Sequence, residues 1–271
     1  MALRPQHVSL EGVAFLLNRA CIALQQSNYL LATQLLAVAI ERDQTPESRF
    51  LAGRSALFQG DLDTALKHFQ CAWEIAKVQK NLRFRWKSCL AMARCQAILR
   101  QPCLVEQSQQ LAVAAACEEL AAGEEMKLPV EIQLCIADSE MRQKQFWSTR
   151  ERLSTLYTDV MHAKITEPDL RAQIESALAK IHSGCSRLAW LQRSAGSFQE
   201  AGNLFGCMHI LEEMAVERLA LRDWKQGQRV LVESQKLAIR LNLPAKILKY
   251  RKLSGRLQNS LRLLNGHSMS N

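Results

Sequence analysis

The sequence is short of the residues that break a chain or cross-link it. Glycine accounts for 11 of 271 residues, proline for 6, and aromatic side chains for 6%. Collagen and low-complexity disorder are excluded, because both need far more glycine, proline or charge. No charge-free apolar run approaches the ~18 residues that would span a bilayer, so no transmembrane helix is expected. Met1 to Asn18 has no basic region followed by an apolar core and a small-residue cleavage site, which argues against a secretory leader. No Cys-x-x-Cys pair occurs among the nine cysteines (21, 71, 89, 95, 103, 117, 135, 185, 207), and most sit in apolar helical pattern. They read as reduced, buried thiols of a cytosolic or nuclear protein, with Cys89, Cys95 and Cys103 as core. Enzyme signatures are missing too. There is no Gly-x-Gly-x-x-Gly, Gly-x-x-x-x-Gly-Lys-Ser/Thr, Gly-x-Ser-x-Gly or His-Glu-x-x-His, so neither catalysis nor a cofactor is expected.

Helical periodicity is abundant. At 48% apolar residues, a chain this long can bury roughly 70–75% of its unfolded surface without a disulfide or metal. Leu62, Ala65, Leu66, Phe69, Ala72, Trp73 and Ala76 recur at steps of three and four, as do Trp224, Val230, Leu231, Leu237 and Leu241. Strand alternation and hairpin dipeptides are absent, so the chain reads as all-α. Short polar breaks recur at Ser27-Asn28-Tyr29, Gly60-Asp61-Leu62, Gln101-Pro102-Cys103, Lys144-Gln145-Phe146, Ser183-Gly184 and Arg222-Asp223-Trp224. Aligned on 28, 61, 103, 145, 184 and 223, they are spaced by 33, 42, 42, 39 and 39 residues. Such a period signals stacked helical hairpins. Pro46, Pro129 and Pro168 each precede a break by 15–16 residues, which suits first helical turns. Thr45 and Thr166 supply capping hydroxyls, and Pro244 starts a final helix.

The hairpins resemble the tetratricopeptide repeat (TPR). Residues 46–79 carry the resemblance best, through Gly53, Gly60-Asp61-Leu62, Ala65, Phe69 and Ala72. The first unit follows with Ala20, Asn28-Tyr29, Ala32, Leu36 and Ala39. Later units match in part, through Ala137, Phe146 and Leu153, then Ala215, Asp223-Trp224, Gly227 and Leu231. Units three and five place Cys95 and Ser176 at the small first-helix position. Two antiparallel helices approach closely only where one side chain at the crossing is small. The resemblance implies one domain over 1–271: a right-handed α-solenoid of six hairpins (about 10–45, 46–82, 83–127, 128–165, 166–205 and 206–243) with a capping helix near 244–264. It implies a non-catalytic interaction module, an adaptor or complex subunit, that holds a partner helix or extended peptide in its concave groove.

Carrying the family's groove positions onto this chain gives Phe50, Arg54, Leu57, Cys89, Met92, Gln96, Leu134, Asp138 and Met141. Phe50 and Arg54 stand where the carboxylate clamp of chaperone-binding repeats needs Lys and Asn, which argues against a chaperone tail as ligand. Charge offers a second route. Eight basic residues and no acid follow Glu233, among them Lys246, Lys249, Arg251, Lys252 and Arg256. They fit either a solvated cap or a surface for an acidic segment, nucleic acid or anionic membrane. Lys77, Lys80, Arg83, Arg85 and Lys87 around Trp86 form a second basic run. His182, Cys185, Cys207 and His209 have zinc-ligand chemistry, set against the plainer reading of buried thiols and half-exposed imidazoles on separate helices.

Overall fold

A computed structural model of the protein describes residues 10–122, 129–162 and 167–267, with side chains between Gly12 and Gly255. These residues form thirteen helices and no strand. In chain order they are α1 (Leu10–Gln25), α2 (Tyr29–Arg42), α3 (Pro46–Gln59), α4 (Leu62–Val78), α5 (Leu82–Ile98), α6 (Pro102–Ala121), α7 (Val130–Arg142), α8 (Phe146–His162), α9 (Pro168–Lys180), α10 (Gly184–Glu200), α11 (Leu204–Ala220), α12 (Trp224–Arg240) and α13 (Pro244–His267). Every break expected from the sequence separates two helices, and Pro244 opens the thirteenth.

One device builds many of the turns. A residue in the left-handed region ends a helix, and an Asn or Asp caps the next. Ser27, Gly60, Lys80, Gly202 and Arg222 have positive φ. Asn28, Asp61, Asn81, Asn203 and Asp223 follow them, and each side-chain oxygen accepts a backbone N–H three residues on, at 2.8 to 3.4 Å. The left-handed residue satisfies orphan carbonyls behind it, and the cap satisfies an orphan N–H ahead. Thr45 and Ser48 form a reciprocal capping box, each hydroxyl accepting the other's N–H at 3.1 Å. Pro46, Pro102 and Pro168 occupy first-turn positions. Pro129 differs: it lies just before α7, where its carbonyl accepts from Ile132 and Gln133. Thr166 lies outside the described residues, and Glu167 caps α9 without a side-chain bond.

The chain divides into two compact units, 1–135 and 136–271, with the division inside α7. In the first, each hairpin packs on the next, and α3 also touches α1 and α5. The crossing of α3 and α4 is as tight as the repeat pattern demands. Phe69 is fully buried, and its ring lies so close that a Cβ at Gly53 would meet Cε1 at 2.5 Å. Ala20, Ala32, Ala39, Ala65, Ala72 and Cys95 fill the other small positions with no exposure. In the second unit α8 to α13 pack successively. Leu153, Leu156, Ile174, Leu191, Met208 and Tyr250 are its largest fully buried side chains.

Some placements differ from the sequence reading. Ser176 is half-buried, whereas Ala172 and Ala179 on α9 are fully buried and take the close contacts. Only four of the nine cysteines are buried (Cys89, Cys95, Cys135 and Cys207), and Cys103 is exposed. Cys103 sits at the second position of α6, where the first turn faces water rather than α5. Burial pushes the thiols of Cys89 and Cys207 up to about 11 and that of Cys95 to about 12, so these three stay protonated.

Candidate functional site

Six of the candidate groove residues come from α3 and α5, and the structure brings three of them together. Phe50, Leu57 and Met92 all belong to the cluster around Phe69 and Cys95. Leu57 is buried at 9% exposure and Cys89 is fully buried, so these two are core rather than open lining. Phe50 is half-buried between the rings of Phe69 at 5.5 Å and Phe84 at 5.8 Å. The guanidinium of Arg54 lies 5.4 Å from the Phe58 ring centre, and Gln96 accepts a 2.9 Å bond from Ser108. What α3 and α5 leave accessible is therefore the outer part of Phe50 and Met92, flanked by half-exposed Arg54 and Gln96. On α7, Leu134 belongs to the first unit, and Asp138 and Met141 to the second; all three are half-buried. Asp138 is ion-paired with Arg142 at 2.5 Å and with Lys180 at 3.9 Å.

The basic surface at the C-terminal end divides in two. Lys246 and Lys249 are not free. Both bond Glu212 of α11, Lys246 at 3.0 Å, and the buried Tyr250 hydroxyl donates to the same carboxylate at 2.9 Å. Burial alone would raise the Glu212 carboxyl, but these three donors hold it at about 2. Burial and the Glu212 charge push the Tyr250 hydroxyl well above its ordinary value. Glu212 thus anchors α13 onto α11. Arg251 and Lys252 are exposed, and the side chain of Arg256 lies outside the described residues. The second basic run is largely tied up by its own neighbours. Trp86 is buried and donates to Glu119 at 2.5 Å, with the Lys87 ammonium 5.5 Å from its ring centre; Arg85 pairs with Glu118 at 2.8 Å, and Lys77 lies over Trp73. Lys80 and Arg83 are exposed.

The four zinc-type residues do not assemble. Cys185 is exposed, Cys207 buried, His182 stacks on Trp190, and His209 packs edge-on against Phe205 at 4.8 Å. Among the described residues no three His, Cys, Asp or Glu side chains group as metal ligands. His182 and His209 are both half-buried, as the plainer reading has it; the Nε2 of His209 is buried without a partner, and burial, with Lys246 and Lys249 nearby, lowers the imidazole to about 4. Among the described residues no helix is long and apolar enough to cross a membrane.

No family model matches the chain, and no curated protein matches it. A solved structure does: a Rap protein complexed with competence and sporulation factor aligns over 93% of this chain and 76% of its own, with TM-score 0.55 and 12% identity. The fold is TPR-like. Two further structures align more loosely. One is the TPR2AB domain of yeast Sti1 in complex with pHSP90, at TM-score 0.38 and 12% identity, over 92% of this chain and all of that one. The other is Pseudomonas aeruginosa PilF, at 0.37 and 16%, over 83% and 93%.

Within the TPR-like hairpins, sequence reasoning missed the buried polar groups. The crossing of α9 and α10 is hydrophilic. Ser194 donates to the Ala172 carbonyl at 2.7 Å, Ser197 to buried Glu175 at 2.7 Å, and Arg171 to Ser197 at 2.9 Å. Burial raises the Glu175 carboxyl, partly offset by the Ser197 bond. Serine here does the work of alanine elsewhere, being small enough for close approach while bonding what it meets. The one sequence signal was position: Ser194 and Ser197 fall on the buried stripe of α10 with Leu191 and Phe198.

Proposed function

We propose that the protein is a non-catalytic interaction module, an adaptor or complex subunit, whose first-helix faces hold a helical or extended segment of a partner protein. The observation that carries this reading is the pairing of Phe50 and Met92. They are half-buried apolar side chains on neighbouring α3 and α5, flanked by Arg54 and Gln96, in a fold matched by a structure of the Rap protein with a bound factor. Partly covered apolar atoms rimmed by hydrogen-bonding groups suit an anchor side chain from a partner. Leu57 contributes as a buried member of the same apolar cluster. Leu134 on α7, in the same unit, is proposed as a further contact position.

The test is site-specific photocrosslinking in the native cell. A photoreactive residue at Met92 or Arg54 is expected to yield one discrete protein adduct. The same probe at Leu30 on α2, 73% exposed, serves as comparison. Adducts of equal yield and identity at all three positions, or none at 54 and 92, refute the reading.

A further inference from the structure

The outer face of α12 is a second, unassigned surface. α12 runs from Trp224 to Arg240 and is strongly two-sided. Gly227, Val230, Leu231, Ser234 and Ala238 are buried. On the opposite side Lys225, Arg229, Val232, Lys236 and Ile239 recur at steps of four and three, which puts them on one stripe. All five are exposed, Val232 at 39% and Ile239 at 52%. Arg240 is exposed beside them, and Glu233 at the stripe's edge is the lone acid of α12.

The cations of this face differ from others in the same unit. Arg152, Arg187, Arg218, Lys246 and Lys249 each have a carboxylate partner. Lys225, Arg229, Lys236 and Arg240 have none among the described residues. The adjoining α13 adds exposed Arg251 and Lys252. We propose that the outer face of α12 docks an acidic amphipathic helix from a partner protein, its carboxylates meeting Lys225, Arg229, Lys236 and Arg240 and its aliphatic spine meeting Val232 and Ile239.

The pattern selects this occupant. Val232 and Ile239 are seven residues apart, the repeat at which a second helix lying alongside presents its own apolar side chains. Seventeen residues give a track about 25 Å long, enough for several turns of a partner. A bilayer surface asks for a continuous apolar face, and two isolated aliphatic side chains among cations do not make one. Single-stranded nucleic acid binds through stacked aromatics, which this stripe lacks, and phosphate binding to a duplex would use the cations but not the two aliphatic side chains between them. The surface is separate from the one formed by α3 and α5, so either can fail alone.

The experiment uses the full chain and a labelled helical peptide of about three heptads, with Leu on one stripe flanked by Glu. A peptide of the same composition with the Leu stripe scrambled, phosphatidylserine vesicles and duplex DNA are the comparison ligands. The amphipathic peptide is expected to bind best. Arg229→Glu with Lys236→Glu should weaken it by about tenfold or more, and Val232→Ser with Ile239→Ser by about threefold or more. Lys67→Glu with Arg150→Glu, exposed cations elsewhere, carries the same charge change and should leave affinity within about twofold. Thermal melts of all variants report folding. The proposal is overturned by equal binding of the scrambled peptide, by indifference to the Val232 and Ile239 changes, or by no peptide binding. Tighter binding of vesicles or DNA, lost in the Arg229 and Lys236 variant, also overturns it and reassigns the face.

Discussion

Two glycines inside helices offer a test in which the same substitution should have opposite signs. Gly→Ala in a helix interior gains about 1 kcal/mol from backbone entropy and propensity. Gly196 in α10 shows that gain unopposed: it is exposed, and a Cβ there meets nothing within 4 Å. Gly196→Ala is expected to stabilise by about 0.5–1 kcal/mol. At Gly53 the added Cβ would lie 2.5, 2.6 and 2.9 Å from Cε1, Cδ1 and Cζ of Phe69. Ordinary carbon contacts lie near 3.5–4.0 Å, so the ring or the helix must give by roughly 1 Å. The ring has little room, because Phe69 has no exposure and Phe50 stands 5.5 Å from it. Overpacking of this kind costs about 1–3 kcal/mol, which exceeds the propensity gain. Gly53→Ala should therefore destabilise by about 1 kcal/mol, and Gly53→Leu by more.

Repeat arrays can unfold in stages, so a single midpoint is a poor readout. Hydrogen exchange of α3 and α4 amides for Gly53→Ala, and of α9 and α10 amides for Gly196→Ala, reads the effect locally. A second arm isolates the contact: Gly53→Ala should cost less in a Phe69→Leu background, where the offending ring is gone. Equal stabilisation by both alanines would show that α3 and α4 do not cross at Gly53, and would sink the packing account of the repeat.

Two further outcomes follow from buried polar groups. Glu212 is held at about 2 against an ordinary 4.5, so its contribution is full above pH 4.5 and is lost as pH falls towards 2. His209, lowered to about 4 from 6.5, contributes fully above pH 6.5 and loses that as pH falls through about 4. Exchange protection of α13 should thus decline in two stages on acidification, each worth about 3 kcal/mol at most; His209→Phe should abolish the upper stage, and a single stage in the wild type would refute the assignment. Trp86→Phe leaves Glu119 buried at 3% exposure without its indole donor and should cost about 1–3 kcal/mol, read by hydrogen exchange of the α5 and α6 amides. Adding Glu119→Leu should recover much of that; equal loss in the double variant would mean the bond contributes nothing.

The helix boundaries were legible because their causes are local. Asn28, Asp61 and Asp223 announce caps within three residues of the N–H groups they satisfy, and Gly53 with Phe69 announces a crossing within one hairpin. Groove lining was much less legible. Phe50, Leu57 and Met92 have the same chemistry whether they line a cleft or fill a core, and their spacing is right for both. How far the next hairpin covers them depends on the tilt between hairpins, which no local pattern encodes. The ion pairs of the α13 lysines were hidden for a related reason. Within residues 234–271 they have no acid to pair with, so the sequence offers only a solvated cap or a binding surface. Their partner Glu212 lies 34 and 37 residues earlier, on a helix whose contact with α13 exists only after folding. The buried polar crossing of Ser194, Ser197 and Glu175 was hidden likewise, because hydroxyls and carboxylates read as solvent-facing until a neighbour supplies their bonds.

The acids of α11 explain how charge is apportioned in the second unit. Glu212 takes Lys246 and Lys249 of α13, while Glu213 and Glu217 take Arg187 of α10. Glu217 also accepts the Gly184 N–H at 3.0 Å, at the start of α10. One helix therefore spends its carboxylates in both directions, fastening the helix before it and the helix two after it. These pairs are partly shielded, with Glu212 at 18% and Glu217 at 14% side-chain exposure, so salt screens them less than open pairs. α12 lies between α11 and α13 in the chain and carries one acid against four cations, none of them paired among the described residues. Cations that served only solubility would not need to share a stripe with Val232 and Ile239, because exposed aliphatic side chains lower solubility. The combination has a physical use if a partner covers it: long-range attraction from the cations speeds encounter, and the aliphatic contacts slow release once water is excluded.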